Sequence, residues 1–125
     1  MARVQTKSKR KSTGGRYIAG RSKRKFELAG YSAQTKVDDK SKLKTKRTLG
    51  GNQKYSLLTA KTISVADKKG KTQKTEIIKA LENSANPNLV RRNIITKGAV
   101  VETKLGKVRI TSRPGQEGTI NGVLV

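Results

Sequence analysis

The chain has no cysteine, no histidine and no tryptophan in 125 residues, and only two prolines and four aromatic side chains. Without cysteine there is no disulfide scaffold, no thiolate zinc site and no sulfur nucleophile. Without histidine the usual general base and the commonest nitrogen ligand for metals are missing too. Acid is scarce: eight Asp/Glu stand against thirty Lys/Arg, a formal net charge of +22. The few carboxylates, with Asp38-Asp39 and Asp67 among them, are too scattered for a divalent-cation cage, and none are paired for acid–base work. No catalytic residue, cofactor or metal is expected. No apolar run approaches the core of a signal peptide or a membrane span, so the chain reads as soluble and intracellular, with no membrane partner. Its first residues carry charge at Arg3 rather than a targeting pattern.

What the chain does have is positive charge, and it is unevenly placed. The first acidic residue is Glu27, and ten lysines and arginines precede it. Two copies of one tetrad, Ser8-Lys9-Arg10-Lys11 and Ser22-Lys23-Arg24-Lys25, flank Gly14-Gly15. Such a segment repels itself, has little apolar surface to bury, and stays extended until a large anion collects it. Residues 1–54 hold 17 basic against 3 acidic side chains, net +14, whereas residues 55–125 hold 13 against 5, net +8. Folding has to offset roughly 1–2 kcal/mol of backbone entropy per residue by burying apolar area. Only the second part has the side chains to do so. The expected organisation is a basic extended arm over 1–50 and a small domain over 51–125.

From Tyr55 to Ala66 β-formers dominate, ending at the turn Asp67-Lys68-Lys69-Gly70, with Lys71–Thr75 as a short return strand. Ile77, Ile78 and Leu81 share one face at helical spacing and predict a helix over about 74–83, stopped by Asn86-Pro87. Strands are expected at Leu89–Thr96, Ala99–Thr103, Lys107–Thr111 and Thr119–Leu124, separated by Lys97-Gly98, Lys104-Leu105-Gly106 and Arg113–Gly118. In Val108-Arg109-Ile110 the alternation is clean. Short strands with glycine turns argue for a mainly β fold: a small β-barrel-like domain with one short helix, preceded by the arm.

Polyanion binding is the chemistry that this charge supports, because Lys and Arg neutralise phosphates and release counterions. In the arm the candidate contacts are Arg3, Lys7, the tetrad cations Lys9, Arg10, Lys11, Lys23, Arg24 and Lys25, and Arg16 and Arg21 between them. Thr13 adds a hydroxyl, and Gly14 and Gly15 permit close backbone approach. Lys44, Lys46, Arg47 and Lys54 follow around Gly50-Gly51. In the second part Arg91 and Arg92 sit within an apolar strand and face opposite sides of it; one of them either pairs with Glu102 or Glu76 or, the favoured reading, grips phosphate bidentately. Lys97 and Arg113 complete the set. Tyr17, Phe26 and Tyr31 lie among basic residues, where they could stack on unpaired bases or anchor the arm. Two weaker patterns fail. Gly70-Lys71-Thr72 lacks the upstream glycine of a phosphate-binding loop, with Val65 in its place. Gly115-Gln116-Glu117-Gly118 has the spacing of a KH clamp but is flanked by β patterns, which makes it a hairpin turn.

Charge does not separate RNA from DNA, and a DNA-compacting protein and an RNA-modifying enzyme or its accessory subunit are rivals on composition alone. The motifs choose. Asn88-Leu89-Val90-Arg91-Arg92-Asn93-Ile94-Ile95-Thr96-Lys97-Gly98-Ala99, Val101-Glu102-Thr103 and Val108–Gly118 resemble the archaeal–eukaryotic small-subunit ribosomal protein family "S-eight-e". Arg10–Gly15, Lys23–Leu28 and Arg47–Lys54 match it in the same order, and the compact length is similar to archaeal members. The resemblance implies a structural constituent of the small ribosomal subunit, without enzymatic activity or cofactor. Its expected partners are the small-subunit (16S-type) ribosomal RNA and neighbouring small-subunit proteins. Its expected place is the ribosome in the cytoplasm, with no homo-oligomer.

Overall fold

The computed structural model describes residues 9–22, 24, 27, 30–67 and 69–125. The chain forms two compact units, Met1–Ser32 and Ala33–Val125. In the second unit the strands are β1 (Lys42–Arg47), β2 (Gln53–Thr59), β3 (Thr62–Ala66), β4 (Thr72–Glu82), β5 (Val100–Thr103), β6 (Gly106–Ile110) and β7 (Asn121–Leu124). Two single-turn helices, α1 (Asn88–Arg91) and α2 (Pro114–Glu117), lie in the connections before β5 and before β7. β3-β4-β5-β6-β7 form a closed barrel, in which every pairing is antiparallel except β3 with β7. β1 and β2 form a separate antiparallel hairpin.

Alternation fills the barrel. Ile63 and Val65 from β3, Val101 from β5 and Val108 and Ile110 from β6 point inward and are almost completely buried, while Lys107 and Arg109 face out. Leu57, Ala60, Ile77, Ile95, Ala99 and Ile120 complete the core, which contains no aromatic ring among the described residues. Fully burying each Ile or Val contributes about 1.5–3 kcal/mol. A five-stranded ring has room for little more than branched aliphatic side chains, and at Gly122 of β7 it has room for no side chain. A Cβ on Gly122 would collide with Val108 Cγ1 and lie 2.9 Å from the Arg109 carbonyl oxygen.

The helix expected over 74–83 is instead the second half of β4, an eleven-residue strand. Its first half pairs with β3 and its second with β5, and the β5 ladder shifts register between Ile77 and Lys79 and again between Ala80 and Glu82. These bulges reset the two-residue period, so Ile77 and Ala80, three apart, are both buried while Ile78 is exposed. A bulged strand imitates helical spacing. The strand expected at Leu89–Thr96 also differs. Asn86-Pro87 starts a helical turn rather than ending one: the Asn88 N–H donates to Asn86 Oδ1 at 2.9 Å and Pro87 already has helical angles. Ile94 and Ile95 then enter the interior after Asn93, which takes a positive φ of 49°.

The other elements follow the sequence more closely. The run Tyr55–Ala66 divides into the end of β2 and all of β3, and Lys71–Thr75 lies at the start of β4. β5, β6 and β7 fall on the three later expected strands. Arg113–Gly118 does join antiparallel neighbours, but as a helical turn with Pro114 at its start and Gly118 at φ 72° behind it. The stretch from Ala33 to Gly50, which composition places in the arm, belongs to the second unit. Thr35 is buried and its hydroxyl donates to the Leu57 carbonyl, and the Ile95 N–H donates to the Thr35 carbonyl. Lys36 bridges Thr59 on one side and Ile94 on the other. A polar segment without apolar periodicity gains this order through backbone hydrogen bonds, which leave little trace in composition.

Replacing Gly122 with alanine therefore forces the β6–β7 seam apart. Overpacking of this kind destabilises by about 1–3 kcal/mol. Urea unfolding of Gly122→Ala should show that loss, with an unchanged midpoint counting against a closed ring at this crossing.

Candidate nucleic-acid interface

In the first unit, residues 9–17 form a tight hairpin. Arg10 bridges Arg16, the Lys11 N–H donates to the Gly15 carbonyl at 2.8 Å, and the Gly14 N–H returns to the Lys11 carbonyl at 3.0 Å. Gly14 takes φ 83°, a conformation that glycine adopts without strain. The turn places Lys9, Arg10, Lys11, Thr13 and Arg16 together, all exposed, and the Lys11 ammonium lies 5.5 Å from the centre of the Tyr17 ring. Tyr17 is thus already engaged by a cation, and Tyr31 is exposed. Arg21 is different. Its guanidinium binds both oxygens of Glu27, at 3.0 and 2.6 Å, and the Arg24 backbone N–H donates to the same carboxylate. That pairing raises the Arg21 pKa further, chiefly through the hydrogen bond to Glu27. Arg3, Lys7, Lys23, Lys25 and Phe26 lie outside the described residues.

In the second unit the β1–β2 hairpin gathers most of the candidates. Alternation puts Lys42, Lys44 and Lys46 on one face of β1, about 7 Å apart in succession. Lys54 of β2 stands directly opposite Lys46. From Lys44 to Lys54 every residue except Thr48 is exposed. Like charges facing each other across a ladder are destabilising, so an anion placed there relieves a repulsion. Lys42 was not among the expected contacts. The signal for it is the run from Lys40 to Ala66, which holds seven lysines and arginines and no acid.

Arg91 and Arg92 are not on a strand and do not face opposite sides of a sheet. Both are exposed at the end of α1, and Arg92 Nη2 donates to Gln34 Oε1 at 2.8 Å. Arg91 joins Arg109, another residue outside the expected set, at a groove of about 700 Å³ floored by Leu81, Val90 and Val100. Lys97 and Arg113 are exposed on separate turns.

The carboxylates lie elsewhere. Asp39 binds Lys61 at 2.6 Å, Glu76 binds Lys104 at 2.7 Å, and Glu102 meets Lys79 at 3.3 Å. Hydrogen bonds from Lys61 and Lys104 hold Asp39 and Glu76 respectively below the usual carboxylate range, and Lys61 is raised by Asp39 and, more weakly, by Glu76. Among the described residues, no ion pair involves a cation of the β1–β2 hairpin. Lys42, Lys44, Lys46, Arg47 and Lys54 thus stand without a carboxylate partner among the described residues. Also among the described residues, no three acidic side chains converge as a metal would need, and no helix is long and apolar enough to cross a membrane.

Fold and charge together define a class of small basic β-barrel proteins carrying a cationic hairpin without carboxylate partners among the described residues. The model of the family described as ribosomal protein S8e matches residues 4–125, and the chain belongs to that family. It is 52% identical to the small ribosomal subunit protein eS8 of Methanobrevibacter smithii over the whole of both chains. The eS8 proteins of Methanocorpusculum labreanum and Methanospirillum hungatei are 52% and 48% identical, each over 97% of both chains.

Asp39 and Glu76 have depressed pKa values when folded, so the stability they contribute is present above the ordinary carboxylate value of roughly 4 and is lost as pH falls through the lower folded values. The double variant Asp39→Asn, Glu76→Gln should lose less stability than the parent on acidification from about pH 5 to about pH 2, the carboxylate range. The pairs are exposed, so high salt should shrink the difference. Parallel acid-unfolding curves at low salt would contradict this.

Proposed function

We propose that this chain is a structural constituent of the small ribosomal subunit that binds small-subunit ribosomal RNA through two basic elements: the arm hairpin around Lys9–Tyr17 and the β1–β2 hairpin. The observation that carries this reading is charge segregation. Asp39, Glu76 and Glu102 are matched by Lys61, Lys104 and Lys79, while Lys42, Lys44, Lys46, Arg47 and Lys54 have no carboxylate partner in the described structure. Names borne by the relatives support the same subunit. In this reading the barrel is a platform and the two hairpins are the contacts. Arg3, Lys7, Lys23 and Lys25 extend the first contact, and Arg91, Arg92, Lys97 and Arg113 add single cations around the barrel. Arg21 acts mainly as an internal brace through Glu27. The partners are folded rRNA and neighbouring subunit proteins, the working form is one copy per ribosome, and the place is the cytoplasm.

If on the order of ten cations meet phosphate, the logarithm of the affinity for a small-subunit rRNA fragment should fall with the logarithm of salt at a slope of roughly 7 to 9. Lys46→Ala and Lys54→Ala should each lower that slope by about 1. Binding should favour the folded fragment over duplex DNA of equal length at moderate salt. A nearly flat salt response would refute the reading, and equal affinity for both nucleic acids would favour a DNA-compacting role.

A further inference from the structure

The tip of the β1–β2 hairpin holds an apolar side chain with nothing to pack on. Leu49 is 96% exposed, the second most exposed large hydrophobic residue among those described. A lone exposed leucine is ordinary on a protein surface. Its setting here is not, because the turn is closed by hydrogen bonds and surrounded by charge. The Thr48 N–H donates to the Asn52 carbonyl at 2.7 Å and Asn52 Nδ2 reaches back to the Leu49 carbonyl at 3.4 Å. Gly50 and Gly51, at φ 75° and 77°, make the reversal in a conformation that L side chains rarely adopt. Immediately behind stand Arg47, Lys46 and Lys54, the last two directly paired across the ladder. The hairpin therefore ends in an exposed aliphatic point on a cationic stem, and neither face of the stem is covered between Lys44 and Lys54.

We propose that Leu49 is a wedge that enters a break in base stacking of folded RNA, at a bulge or an unpaired base, while the stem cations hold the flanking phosphates. This rests on the RNA-binding reading above and names what its hairpin recognises. The charge complementarity of the stem selects a nucleic acid as the occupant. An uninterrupted helix offers an aliphatic side chain no site, because its bases are stacked on one another. At an interruption the exposed base faces already lack partners, so the unstacking cost is smallest there. Aliphatic side chains inserted in this way take over the lost stacking contact, and the phosphates on either side fall within reach of residues one to three positions behind the tip.

The test separates the wedge from the charge. Electrostatic contacts set the salt slope, whereas an apolar insertion adds an affinity term that salt does not release. Using the full chain, Leu49→Ala should weaken binding to folded small-subunit rRNA about tenfold, leave the salt slope unchanged, and leave affinity for an uninterrupted RNA duplex unchanged. Leu49→Met should restore most of the loss. Because Leu49 touches almost nothing in the free protein, its variants should unfold with the parent's midpoint, so a folding defect does not confound the result. Unaltered rRNA affinity in Leu49→Ala, or an equal loss on the uninterrupted duplex, overturns the wedge. Either result is distinct from failure of the underlying function, which would show as a flat salt response of the parent protein itself. If Leu49 instead met an apolar patch on a neighbouring protein, rRNA affinity would be unaltered, and that also counts against the proposal.

Discussion

Uncompensated positive charge is the constraint from which the rest of this structure follows. Thirty cationic side chains against eight carboxylates cannot be neutralised internally, and self-repulsion works against any compact state. The chain handles this by position. Around the barrel, carboxylates are set beside Lys61, Lys79 and Lys104, where strands already crowd side chains together. Outside the barrel, the cations are spread over hairpins whose backbone hydrogen bonds hold them without requiring a core.

The core can be this small because the ring is closed. A closed barrel leaves no strand edge unsatisfied, and closure depends on two features of the chain. One is β4, which is long enough to pair with β3 and then β5 but must bend twice to do it, at the bulges near Ile77 and Ala80. The other is Gly122, where β7 passes so close to Val108 and Ile63 that only a bare backbone fits. The segment through Thr35 and Lys36 then ties the base of the β1–β2 hairpin to Ile94 and Ile95 in the connection ahead of β5. That anchoring matters, since an isolated two-stranded hairpin is marginal in water.

The parts of this fold that were legible in the sequence are those in which a single rule operates. β5, β6 and β7 alternate cleanly between glycine turns, and Val108-Arg109-Ile110 points in, out and in as its pattern implies. Where two rules compete, sequence reasoning fails in an intelligible way. The bulges in β4 insert extra residues into a two-residue period, and the result is indistinguishable by spacing from a short helix. Asn-Pro both ends and begins helical turns, and only the partner of the Asn86 side chain tells which. The β1–β2 hairpin was hidden for another reason. Lys42–Arg47 has strand alternation but no apolar face, so neither periodicity nor hydropathy marks it. Basic residues were easy to nominate as contacts, yet their grouping was not, because pairing Lys46 with Lys54 depends on a turn at Gly50-Gly51 that composition reads as a boundary.

That pairing also bears on selectivity. A hairpin that holds Lys46 against Lys54 is worse off alone than one carrying a neutral partner, since like charges directly opposite each other destabilise a ladder. Any ligand that binds the ordered hairpin adds its binding free energy to the folded state, and a phosphate between the two ammonium groups also removes their repulsion. The gain is greatest for a polyanion whose phosphates approach both faces of the stem at once. A flat duplex surface presents phosphates to one side only. On the RNA-binding reading proposed above, a groove or junction in folded RNA would surround the stem, and a hairpin strained by its own charge would discriminate by shape as well as by sign.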